Sequence, residues 1–213
     1  MLLDSHLDRP TLSLLGGGVL LYLGLVARRL VDHGRFVRSL RRLAREGELG
    51  GVPVNYVDGV APFVAGIVRP RLYCHPELVR TLTARQQRAV ALHERHHIQR
   101  RDPLRLQLSS ALRPLARLLP ALHAHLDAHE VRYEIAADRF ALRHGVTRAD
   151  VAGALLAMLE NDRLHLAPGF VSAAEARLRA LTGDTPAGRD GSKDAPVMLG
   201  LAASAVIACV VFL

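Results

Sequence analysis

The chain has 213 residues, with 28 Lys and Arg against 20 Asp and Glu, a formal charge of +8, half its residues hydrophobic and no Trp. A half-apolar chain of this length can bury a core, which excludes global disorder, and two distant cysteines, Cys74 and Cys209, exclude a disulfide scaffold. Ordinary Gly and Pro counts exclude collagen-like and low-complexity classes, leaving a helical or mixed domain, alone or tied to a membrane.

Residues 1–10 read as a short polar tail. Residues 11–27, TLSLLGGGVLLYLGLVA, carry no charge over 17 positions, at the short end for a spanning helix of about 20 apolar residues. An uncleaved transmembrane helix fits better than a signal peptide. Asp4, Asp8 and Arg9 stand where a positive n-region belongs, and no A-x-A site follows. Next come Arg28, Arg29, Arg35, Arg38, Arg41, Arg42 and Arg45. Between positions 28 and 104 there are 15 basic and 7 acidic residues, so the net charge of the chain lies there. Beside an apolar segment these arginines read as lying at lipid headgroups, and they place residues 28–194 in the cytoplasm. No aromatic interleaving or motif supports nucleic-acid binding. Cys74 then faces a reducing compartment.

Residues 28–47 read as a basic helix ended by Glu48-Leu49-Gly50-Gly51. Short strand candidates follow at 52–58, 62–67 and 71–74, a small sheet or β-ribbon punctuated by Asp58-Gly59. Residues 78–82 look like one helical turn. Thr83 and Gln86 form a capping box that opens a helix running to Asp102-Pro103. Leucines and alanines then recur every three or four residues through 104–126, interrupted by Arg105, Arg113 and Arg117. Pro114 and Pro120 should kink or split this stripe. It reads equally as a core-facing helix pair or as an amphipathic hairpin at the membrane surface. Helices are expected at 127–142, at 148–160 behind Thr147, and at 172–181. Residues 182–194 read as a flexible linker, and 195–213, uncharged throughout, as a second transmembrane helix.

His93, Glu94 and His97 fit H-E-x-x-H. On a helix, i and i+4 share a face, so both imidazoles can reach one metal, at about 2.0–2.1 Å for zinc. Glu94 stands beside the open position, where a carboxylate can take a proton from activated water. Ala89, Val90, Ala91 and Leu92 precede the motif and suggest a partly buried setting. Glu130, Glu134 and Asp138 share one face of a later helix. A catalytic zinc wants a third ligand, and periodicity leaves Glu130 and Glu134 as equal candidates.

H-E-R-H-H-I-Q-R-R-D-P (93–103), E-I-A-A-D (134–138) and the stretch at 61–90 resemble the BlaR/MecR-type antirepressor zinc metallopeptidases, integral-membrane gluzincins. HtpX-like and CAAX-prenyl endopeptidases are similar at greater distance. The resemblance covers about residues 52–181. It implies a mostly α, gluzincin-type metallopeptidase domain with a small sheet, at 28–181 between the two transmembrane helices. It also implies one Zn2+ held by His93, His97 and Glu134, with Glu94 as general base and acid. Asp102 and Asp138 would orient the ligand histidines. Pro62, Phe63, Val64, Ala65 and Gly66 would form an edge strand that pairs with a substrate backbone, and Arg177 would act on the substrate side. There are departures. Ala167-Pro168 stands where prenyl and heat-shock peptidases carry His-Pro, and His165 is off-register. Receptor members carry more spans and an external sensor. His96 and His129 flank the site as surface or outer residues. The implied activity is hydrolysis of a protein or peptide substrate at a membrane, with a regulatory partner protein as a further expectation. The alternative is a non-catalytic membrane regulator that keeps zinc as a staple and binds a cytoplasmic partner.

Overall fold

A computed structural model describes residues 9–161 and 170–183. Most of the tail, His165, Ala167-Pro168, nearly all of the 182–194 linker and the span expected at 195–213 lie outside the described residues.

Helix α1 (Arg9–Leu43) is a single helix of 35 residues, so the apolar segment and the basic helix are one rod. After Pro10 no proline occurs before Pro53, and nothing breaks the hydrogen-bond ladder. Among the described residues no helix is long and apolar enough to cross a membrane. The span expected at 11–27 is thus left without support.

A correction concerns residues 45–47, expected as helix. Strand β1 (Arg45–Leu49) instead turns at Gly50-Gly51 into β2 (Val52–Tyr56), and the two pair antiparallel. Both glycines have positive φ, 54° and 86°, as a two-residue hairpin turn of the I′ type requires. Gly47 is needed too, because a Cβ there would run into the Tyr56 ring. Strands β3 (Phe63–Ala65) and β4 (Arg71–Cys74) complete a sheet of order β1-β2-β4-β3. β2 and β4 run parallel, β3 and β4 antiparallel, and β3 is an outer strand.

Alternation along β4 sorts the two faces of the sheet. Leu72 and Cys74 join Leu49, Val54 and Leu78 in the main core, where they meet Val90 and Ala91. Tyr73 joins Val57 and Ala65 against Val37 and Leu40 of α1. The sheet is thus sandwiched between α1 and the motif helix.

That helix, α3 (Ala84–Arg100), follows the short α2 (Pro76–Thr81) and starts with the expected Thr83–Gln86 capping box. It stops at Arg101, the one non-glycine with positive φ among the described residues (54°). The apolar stripe beyond is split at its prolines into α4 (Asp102–Ser110), α5 (Arg113–Ala116) and the start of α6 (Pro120–Arg143). Ala116, Leu122 and Leu126 bury one another there with Leu112 and Leu119, while Leu118 stays 75% exposed. α6 therefore begins well before the expected position 127. α7 (Arg148–Leu159) is capped by Thr147 with Asp150, and α8 (Phe170–Thr182) follows.

Candidate metal centre

Helix α3 is held on both flanks. Val90 and Ala91 pack into the sheet-side core, Ala89 and Leu92 into a second cluster with Ala141, Val146 and Val151. The next turn is thereby drawn inside, and His93, Glu94 and His97 are all buried. α6 packs along α3 and lays Glu134 and Asp138, one turn apart, over the two histidines.

The imidazoles aim their Nε2 atoms at a common point, 3.1 Å from each other. Glu134 closes the triangle, with Oε2 3.2 Å from His93 Nε2 and Oε1 3.6 Å from His97 Nε2. Four ligands about 2.05 Å from a tetrahedral zinc lie about 3.3 Å apart along each edge. The three separations here bracket that value. Two imidazole nitrogens and a carboxylate are also a donor set that suits zinc. The residues present fit the ion.

The opposite ring nitrogens are fixed by carboxylates. His93 Nδ1 lies 2.8 Å from Asp138 Oδ1, and His97 Nδ1 lies 2.8 Å from Asp102 Oδ2. An ionised carboxylate only accepts, so both Nδ1 atoms carry a proton and Nε2 is the nitrogen each ring would turn to a metal. Asp102 reaches His97 because the chain reverses at Arg101 and places it at the start of α4. Its Oδ1 has no hydrogen bond, and Arg105 Nη1 stands 3.6 Å away.

The choice between the two glutamates follows from Arg113 of α5, whose Nη2 lies 2.7 Å from Glu130. Glu130 is therefore turned away from the histidines. Arg177 of α8 is 5% exposed and forks Asp138, with Nε and Nη2 each donating at 2.8 Å, while Nη1 sits 3.2 Å from Glu134. Its guanidinium thus lies behind the ligand shell. Phe63, Val64 and Ala65 form β3, flanked by Pro62 and Gly66, and no described bond joins them to the histidines or Glu134. His96 packs on Phe140 and His129 on Tyr133, both outside the ligand set.

Charge and burial oppose each other here. Burial pushes Glu94 above its usual range, which suits a group that must exchange a proton. Burial also pushes Asp138 up, but His93 and Arg177 outweigh it and hold it low. For His93, burial and Arg177 push down, yet Asp138 and Glu134 prevail and raise it to about 9. A metal therefore competes with one proton at His93 Nε2. Cys74 reads in the sequence only as a reduced thiol, yet it stands close to Glu94. Burial and the nearby Glu94 push its thiol up to about 12, so it lines the apolar wall beside that carboxylate. The only hint in the sequence was its place two residues after Leu72, on the core face of β4.

Comparison with curated proteins and with solved structures gave no significant match. A model of the BlaR1 peptidase M56 family does match, over residues 12–179, a stretch that contains every residue of the centre. With that match spanning most of its length, the chain belongs to the BlaR1 peptidase M56 family.

Proposed function

We propose that this protein is a zinc-dependent endopeptidase held at a membrane. One observation carries the reading. His93 Nε2, His97 Nε2 and a Glu134 oxygen converge at tetrahedral-edge spacing while the buried Glu94 in the same motif makes no described hydrogen bond or ion pair. Three protein ligands leave a fourth position open, the pattern of catalytic zinc; structural sites fill all four. This weighs against the alternative of a non-catalytic regulator with a zinc staple.

When bound, zinc brings the pKa of a water to about 7 and polarises a carbonyl oxygen. The rest falls to the chain. Glu94 accepts the proton at its carboxylate and hands it to the departing amine. Asp102 and Asp138 keep the two imidazoles in the ligand tautomer, and Arg177 keeps Asp138 ionised and in place. The outer strand β3, with Pro62 and Gly66 beside it, offers backbone groups to an extended peptide.

Membrane attachment rests on the family and on α1. Val19, Leu20, Leu21 and Leu23 are each more than half exposed, with Arg28, Arg29 and Arg35 just beyond. An apolar end followed by arginines suits a bilayer with anionic headgroups on the domain side. By the same charge rule the domain is cytoplasmic. Residues 195–213 would supply a second apolar anchor.

The test is zinc content and cleavage of an unfolded protein, measured together on detergent-purified wild type, Glu94→Gln and His97→Ala. Wild type should hold one zinc and cleave. Glu94→Gln should hold zinc and not cleave, and His97→Ala should lose most of its zinc. Cleavage by Glu94→Gln, or full zinc in His97→Ala, would overturn the assignment.

A further inference from the structure

β3 has one partner strand, β4, so its remaining contacts decide where a paired substrate backbone would lie. Two of them come from α1. At the start of β3 the Phe63 ring stacks on Phe36, with centroids 6.1 Å apart and planes at 30°. Just past its end the Gly66 N–H donates to His33 Nε2 at 3.1 Å. His33 and Phe36 are three residues apart on one helix and share a face. A single face of α1 thus holds both ends of the strand. Gly66 itself has φ 107°, and a Cβ there would come within 2.7 Å of the Arg69 carbonyl oxygen, so the turn into β4 leaves it little freedom.

The protonation state of His33 follows from its partners. A backbone N–H only donates, so Nε2 keeps its lone pair and the neutral ring carries its proton on Nδ1. Nδ1 lies 3.2 Å from the side-chain amide of Gln107 on α4. Turned about its last bond, that amide presents its oxygen as acceptor. An imidazolium would bring a second N–H against the Gly66 N–H and break the contact. Burial lowers the His33 pKa. The neighbouring charges pair elsewhere: on α1, Asp32 with Arg28 and Arg35; on α4, Asp102 with Arg105; on β4, Arg71 with Glu46. Arg69 lies in the turn after Gly66.

We propose that His33 is a positioning residue: from α1 it fixes the edge strand β3 for substrate pairing, and displacement of α1 or protonation of His33 loosens that strand while leaving the metal centre intact. The consequence for catalysis rests on the peptidase reading; the latch itself does not.

The experiment compares full-length, zinc-loaded wild type with His33→Leu and His33→Gln in detergent. Amide-exchange protection is read over 63–66, and KM and kcat are read on one peptide. His33→Leu removes the acceptor and should lower protection about fivefold, the size of one net hydrogen bond. KM should rise by a similar factor with kcat held. His33→Gln places an amide oxygen near the Nε2 position and should restore both. Wild-type protection should also fall as the pH is lowered below the ordinary histidine value of about 6.5, and that of His33→Gln should not. Unchanged protection or KM in His33→Leu, failure of Gln to restore, or a loss in kcat at constant KM would each overturn the proposal. If His33→Leu does not fold, the pH comparison of wild type with His33→Gln decides. A wild type that cleaves nothing overturns the peptidase reading alone, and the exchange data still judge the latch.

Discussion

Arg177→Met strips the guanidinium from a carboxylate with almost no water to replace it. Asp138 is 3% exposed, and two hydrogen bonds of 2.8 Å tie it to Arg177. Breaking a buried pair from one side costs about 3–5 kcal/mol, because the charge left behind stays buried. Here His93 remains against Asp138 at 2.8 Å, so the lower end, about 3 kcal/mol, is expected. The double change Arg177→Met with Asp138→Leu removes both charges. Its loss should fall short of the summed single losses by about 2 kcal/mol, within the range of coupled neighbours. Urea unfolding of the zinc-free protein, followed by far-UV circular dichroism, measures all four corners of the cycle. Additivity within about 0.5 kcal/mol would refute the coupling. Asp138→Asn gives an independent check. It keeps the shape but weakens the acceptor for His93 Nδ1, and loss of such outer partners weakens metal binding about 10–100-fold. Competition against a coloured chelator reads this directly, and an unchanged affinity would remove Asp138 from the centre.

Because His93 is raised to about 9 and must lose a proton to bind metal, zinc affinity should fall about tenfold for each pH unit below that value. Chelator competition between pH 6 and 8 measures the slope, and a flat profile would contradict it. The Cys74 thiol, pushed up to about 12, should resist alkylation at pH 8 in a Cys209→Ser background and react once the protein unfolds; mass spectrometry counts the adduct. Gly47→Val should destabilise the fold by about 1–3 kcal/mol, since its Cβ meets the Tyr56 ring. An unchanged unfolding midpoint would mean that the ring, whose hydroxyl donates to the Glu48 carbonyl at 2.8 Å, swings away freely.

What could be read from the sequence is what lies within one or two helical turns. Thr83 and Gln86, three residues apart, bond to each other, His93 and His97, four apart, meet, and Glu134 and Asp138, also four apart, both reach His93. The short strands at 52–56, 63–65 and 71–74 also fall within their expected bounds. The basic run hid β1, because a strand exists only through its partner and that partner lies across Gly50-Gly51. Glu130 and Glu134 share a face, so no period could separate them; Arg113, from another helix, does.

The same limit applies to the charge of the centre. Glu94, Asp102, Glu134 and Asp138 crowd around two imidazoles. Arg177 enters from α8 and Arg105 from α4 to balance two of them. The carboxylates still outnumber the arginines, and in a site with little water such an excess is unfavourable. That excess explains why His93 holds its proton to about 9 in spite of burial. The histidine pair states where a metal would sit, but only the long-range ion pairs state which carboxylates are held around it.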